Sequence, residues 1–317
     1  MAQIGVSAMK RIEDLLDTGS FVEIGSYISS RNTDFNLSDK ETPKDGVLTG
    51  YGTINDSLVY VYSQDPSVLG GSIGEMHAKK IVALYDMAMK MGAPVVGLVD
   101  CAGLRLEESF DALDAFGKIY LAQTKASGVI PQIQAVFGLS GGGMAISNGL
   151  SDFVFMEKDK AKVFVNSPNA IIGNSQDKND FSSAKFQSES TGLIDFIGTE
   201  SEIISGIREL ISVLPANNED DMSYIECTDD LNRLTPELEG RISDPALALN
   251  IISDSGYVLE VKKNFAREMF TGFIRLNGNT VGVVANRRAL YDENGEIADE
   301  FENVLSHQGS DKAAGFV

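Results

Sequence analysis

The chain carries two copies of one short unit, and that duplication constrains its fold more than any other feature of the sequence. Thr49–Ser63 reads TGYGTINDSLVYVYS and Thr271–Ala285 reads TGFIRLNGNTVGVVA. With Thr49 set against Thr271, an offset of 222 residues, Thr-Gly, an aromatic, an aliphatic, Asn and the alternating apolar positions coincide. Upstream, Gly19–Glu23 (GSFVE) is echoed by Gly256–Glu260 (GYVLE). Period-two apolar alternation on both sides of Asn55-Asp56 is a hairpin pattern, so each copy contributes strands at this point. A second copy then begins near Arg241, and the fold must be one that can be built twice. The expected domains are 1–240, complete, and 241–317, where the repeat has reached only the start of its long helix. Strands with one uncovered apolar face need a partner, so the second copy is expected to be completed by another domain or chain.

The residues after the first hairpin set the fold class. Beyond Gly70-Gly71, residues Met76, Ile81, Leu84, Met87, Ala88 and Met91 recur at helical steps. Pro94–Asp100 and Pro131–Phe137 are short, continuous apolar runs of the kind that form strands buried on both faces. Each leads into a glycine loop, Ala102-Gly103 and Gly138–Gly143, and then a helix, Asp111–Ala126 and Met144–Gly149. Asp152–Met156 and Ala161–Val165 add strands, and Ser201–Leu214 a helix. Strand, glycine loop, helix, strand is the rhythm of an α/β layered fold. Pro215–Pro236, acidic and without period, reads as a linker.

Composition removes several functions. The net charge is −20, from 46 acidic and 26 basic residues, a field that repels nucleic acid and anionic membranes. Cys101 and Cys227 form no CxxC pair, and His77 and His307 are the only histidines, so no metal site of ordinary spacing is present. The N-terminus has no signal-peptide pattern and the longest apolar stretch, Ala93–Val99, is far too short to cross a bilayer. A cytoplasmic location is the expectation.

The chemistry points to the two glycine loops, Asp100-Cys101-Ala102-Gly103-Leu104-Arg105 and Gly138-Leu139-Ser140-Gly141-Gly142-Gly143. A helix N-terminus presents unpaired N–H groups, and glycine lets a ligand approach the main chain closely. Two such loops after consecutive strands can aim N–H groups at one oxygen, as a thioester carbonyl turning into an enolate requires. Both are equally readable as tight strand-to-helix turns. Arg105 and the pair Lys79-Lys80 are the nearest candidate cations for CoA phosphates, while His77, among Glu75, Lys79 and Lys80, reads as a solvated or capping residue. Ser140 satisfies GxSxG, yet a hydrolase triad also needs a downstream histidine, and only His307 exists.

At these loops the sequence resembles the β-type carboxyltransferase subunits of biotin-dependent acyl-CoA carboxylases and decarboxylases. The resemblance runs in order through Arg11–Gly25 (RIEDLLDTGSFVEIG), Ser63–Ile81 (SQDPSVLGGSIGEMHAKKI), Asp100–Arg105, Ser127–Gln132 (SGVIPQ), the Ser140 glycine run and Asp152–Met156. It continues at Gly272–Asn286 and Gly309–Val317 (GSDKAAGFV). It implies a crotonase-like ββα superhelix, with one complete acyl-CoA domain and the beginning of a biotin-side domain. It also implies catalytic roles for Gly142, Gly143, Gly103 and Leu104, and acyl-CoA contacts from Ala102, Arg105, Ser140 and Gly141. Leu104 stands where the family has a small residue. The implied partners are acyl-CoA, biotin on a separate carrier protein, and a second carboxyltransferase domain or chain in a homo- or hetero-oligomer, because the biotin-side glycine loop would lie beyond Val317. A non-catalytic CoA-binding subunit and a crotonase-type hydratase remain alternatives.

Overall fold

The computed structural model describes residues 7–32, 41–167, 180–221, 223–292 and 295–317. These form two compact units: 1–187 with 197–220, and 188–196 with 221–317.

The first unit opens with helix α1 (Ala8–Leu15), whose N-cap Ser7 accepts from the Lys10 N–H and whose Ala8, Arg11, Ile12 and Leu15 face inward. Strand β1 (Val22–Ile24) pairs antiparallel with β2 (Val47–Ile54), which forms a hairpin with β3 (Ser57–Gln64). The hairpin closes through Asn55 and Asp56, both at positive φ, as a two-residue turn of this twist demands. Helix α2 (Glu75–Met91) ends on Gly92 in the left-handed region and leads to β4 (Val95–Cys101), parallel to β3. Then come α3 (Ser109–Ala126), β5 (Gln132–Gly141), α4 (Gly143–Gly149), β6 (Phe153–Glu157) and β7 (Lys162–Phe164). A short α5 (Ala184–Glu189), β8 (Phe196–Gly198) and α6 (Glu200–Val213) come next. The sheet runs β1-β2-β3-β4-β5-β6-β8, with β7 on β5. Its centre is parallel and lined by Val95, Val96, Leu98, Val99, Ile133, Ala135 and Val136, all buried.

The second unit repeats the opening of the first. Helix α7 (Pro245–Ile252) is capped by Asp244, and β9 (Val258–Glu260), β10 (Met269–Leu276) and β11 (Asn279–Asn286) form a three-stranded sheet. A hairpin of β12 (Ala289–Tyr291) and β13 (Ile297–Glu300) precedes α8 (His307–Phe316). The duplication extends to individual bonds. Thr49 pairs with Tyr62 and Thr271 with Val284, so the two hairpins share one register. Glu23 faces Gly50, and Glu260 faces Gly272. The Thr49 hydroxyl donates to Ile24 O at 2.8 Å and the Thr271 hydroxyl to Val261 O at 2.9 Å. Asp17 accepts from the turn N–H groups of Asn55 and Asp56, as Asp254 does from Asn277 and Gly278. Lys80 on α2 and Lys312 on α8 each bury an ammonium against main-chain carbonyls at the start of their hairpin: Lys44 and Val47 for one, Phe265 and Met269 for the other.

The second unit takes in 188–196 and the residues from Asp221, where Ile225 donates to Gly278 O and Tyr224 bridges to Asn279. One strand end differs from the sequence reading. Strand β5 does not stop at Phe137 but bulges and runs on to Gly141, so the expected Gly138–Gly143 loop shrinks to its last glycines.

Candidate active site

Both glycine loops lie at the carboxyl ends of adjacent parallel strands, β4 and β5, and touch one another. A side chain at Gly103 would sit 3.2 Å from Gly141 O, and one at Gly141 would sit 2.8 Å from Ala102 O. Only glycines allow that approach.

In the first loop the Ala102 N–H donates to Gly70 O at 3.0 Å and the Gly103 N–H to the Cys101 thiol at 3.3 Å. Gly103 O and the Arg105 N–H bond Ile73 on either side, leaving the Leu104 N–H without an acceptor among the described residues. In the second loop Ser140 is buried and its hydroxyl accepts from Asn148 at 3.0 Å. The Gly142 N–H donates to Phe164 O at 2.9 Å. Gly142 has φ +59° and ψ −123°, a conformation that strongly favours glycine, and it faces empty space. The Gly143 N–H, at the start of α4, has no acceptor among the described residues. Phe116 and Tyr120 pack on Gly143, and the Tyr120 hydroxyl donates to its carbonyl at 2.7 Å. The open donors are therefore Leu104 and Gly143. Gly103 and Gly142 supply the shape that exposes them.

Four sequence expectations require correction. Arg105, expected to meet CoA phosphates, is 1% exposed. Its guanidinium pairs with Asp45 at 2.5 Å and Glu108 at 2.8 Å and donates to Ser72 O at 2.7 Å. It clamps the first loop from beneath and cannot reach solvent. Lys80 is likewise buried, and burial lowers its pKa to about 8 against the opposing pull of Glu23 and Asp45; only Lys79 lies at the surface, paired with Glu75. His77 is fully buried where a solvated residue was expected, with its ring between Asp45 O at 2.9 Å and Gln64 at 3.2 Å. Burial and then the Arg105 charge push its pKa down to about 3, so it is neutral. Ser140, also expected to touch acyl-CoA, is enclosed, and its buried hydroxyl is no exposed nucleophile.

Asp45 and Gln64 were missed by the sequence reading, which placed Asp100 in the first loop without a role. Gln64 bonds His77 with one side of its amide and accepts from the Asp100 N–H with the other at 3.2 Å. The chain Arg105–Asp45–His77–Gln64–Asp100 thus runs beneath both loops.

The carboxyl transferase domain model matches residues 6–317. The chain belongs to the carboxyl transferase family. It is 38% identical over 293 residues to the propionyl-CoA carboxylase beta chain of Roseobacter denitrificans, covering 89% of this chain and 58% of the relative. It is 38% identical over 327 residues to the methylmalonyl-CoA decarboxylase subunit alpha of Veillonella parvula, covering 100% and 62%. Transcarboxylase 12S, solved as a hexamer with hydrolysed methylmalonyl-coenzyme A bound, superposes with TM-score 0.89 at 34% identity over 98% of this chain and 60% of its own. This carboxyl transferase chain spans about three-fifths of the length of those relatives. The crotonase-like α/β fold expected from the sequence is borne out. Among the described residues no helix is long and apolar enough to cross a membrane, and no group of metal-binding side chains occurs.

Proposed function

We propose that this carboxyl transferase chain holds an acyl-CoA thioester while carboxyl moves between the acyl α-carbon and biotin, which arrives as a second substrate on a separate carrier protein. One observation carries the reading: two touching loops on adjacent strands leave the Leu104 and Gly143 N–H groups without acceptors among the described residues. Carboxyl loss from, or proton loss at, the α-carbon places negative charge on the thioester oxygen. Two fixed N–H donors at that oxygen stabilise the enolate with no side-chain nucleophile. The −20 charge leaves recognition of CoA to main-chain donors and surface cations such as Lys79.

We infer further that the biotin side is completed by additional sequence or a second chain in a homo- or hetero-oligomer. In support, the outer edge of β11 beyond Thr280 carries no strand among the described residues, whereas β3 carries β4 at the matching position. In the completed enzyme, Gly142→Val should force a β-branched residue into a strained positive-φ conformation and turn the Gly143 N–H away. Losing one such donor costs about 3–4 kcal/mol, a drop of two to three orders of magnitude in kcat. Decarboxylation of a malonyl-type CoA with free biotin measures it. A Gly142→Val enzyme within about threefold of wild type would reduce the loop to a turn.

A further inference from the structure

The register between β4 and β5 is regular from Val95–Gln132 to Val99–Val136 and then jumps to Cys101–Ser140. One residue, Asp100, therefore stands opposite three: Phe137, Gly138 and Leu139. This bulge immediately precedes Ser140–Gly143, so its geometry determines where the Gly143 N–H comes to lie.

The bulge is held from two sides. Asp100 Oδ1 accepts from the Leu139 N–H at 3.2 Å, and its carboxylate occupies the space a side chain at Gly138 would need. The Arg11 guanidinium, on α1, lies 4.6 Å from the Phe137 ring centroid. Arg11 also pairs with Asp100 at 3.5 Å and with Glu200 at 2.6 Å. The Asp100 N–H is itself fixed by Gln64.

We propose that Asp100 is a positioning residue: it pegs the β5 bulge through Leu139 and Gly138 and so couples the placement of the first loop to that of the Gly143 donor. This deepens the acyl-CoA reading and rests on it for its catalytic meaning. The groups facing Asp100 are Arg11 on α1, Gln64 on β3 and Glu200 on α6, with Glu157, Asp159 and Lys160 lining the same cleft. Burial raises the carboxyl's pKa above the usual 3.8, against the Leu139 bond and the Arg11 charge.

The sequence permits a direct test. Labelling glycine with carbonyl ¹³C and amide ¹⁵N selects amides that come directly after another glycine, and these are only Gly71, Gly142 and Gly143. In the full chain Asp100→Ala is expected to displace the Gly142 and Gly143 amide resonances at neutral pH. Asp100→Asn, whose side-chain oxygen still accepts from Leu139, is expected to leave them near wild type. On acidification the wild-type amides should titrate together above pH 3.8, while those of Asp100→Asn stay flat. Should Asp100→Ala fail to fold, the wild-type and Asp100→Asn titrations decide alone. Amides that hold their place in Asp100→Ala, or titrate identically in Asp100→Asn, overturn the proposal. Adding acyl-CoA to the wild type separates the two ideas: a silent Gly143 amide defeats the oxyanion reading and leaves the coupling standing.

Discussion

The two repeats share a frame and differ in what the frame supports. A helix, an aspartate that accepts from the hairpin turn, three strands and a buried lysine recur with the same register and the same hydrogen bonds. On β3 the residues Val59, Tyr60, Val61 and Tyr62 are buried, Tyr62 at 1% exposure, because β4 continues the sheet. Its counterpart Val284 on β11 is 40% exposed. Each unit has its own arginine clamp. In the first, Arg105 joins Asp45 to Glu108; in the second, Arg287 pairs with Asp244 at 3.0 Å and grips Glu260 with both terminal nitrogens. The duplicated part is scaffold, and the open N–H groups belong to strands that come after it. A frame of this type specifies no chemistry until further strands bring glycine loops to its edge.

The comparison breaks most readily at the clamps. Removing Arg105 strands the Asp45 and Glu108 carboxylates in the interior, so Arg105→Ala should cost about 3–5 kcal/mol in urea unfolding of the first unit. Arg287→Ala should lower the second unit's stability and spare the first. A single shared transition for both variants would show that the clamps are not local to their repeats. The lysines test equivalence. Lys80→Met and Lys312→Met each leave buried carbonyls without their charged donor, a loss of about 2–3 kcal/mol apiece. Losses differing by more than about 2 kcal/mol would contradict a common role. Smaller still is the glycine pair. A methyl at Gly50 would strike Val22 O and one at Gly272 would strike Leu259 O, so both Ala variants should cost about 1–3 kcal/mol.

His77 differs in kind, because its effect appears only as pH is lowered. Its folded pKa of about 3 lies below the ordinary 6.5, so between those values the unfolded chain binds a proton that the folded chain does not. Stability of the first unit should therefore fall as pH drops from 6.5 toward 3, with a slope of up to about 1.4 kcal/mol per pH unit from this residue. His77→Gln removes that contribution; an unchanged slope in chemical denaturation would place the acid sensitivity elsewhere.

How much could be read beforehand tracked the range of the interactions. The hairpins were legible because Asn55-Asp56 and the alternating apolar residues act over a few positions. Both glycine loops were found because a glycine run after a buried strand is a local signal. Arg105 and Lys80 misled because a cation beside other charges looks solvated, and partners such as Ser72 O and Val47 O are main-chain atoms that leave no trace in sequence. The β5 bulge depends on Asp100 meeting Leu139, 39 positions away, and period alone cannot foresee it.

We propose that acyl-CoA binds this chain without a partner, near Gly103 and Gly142. Calorimetric titration of the 317-residue chain with an acyl-CoA thioester tests it most directly, alongside Gly142→Val as a control. Saturable binding to the wild type, weakened in Gly142→Val, is the predicted result. Heat no greater than dilution up to millimolar thioester would contradict the account.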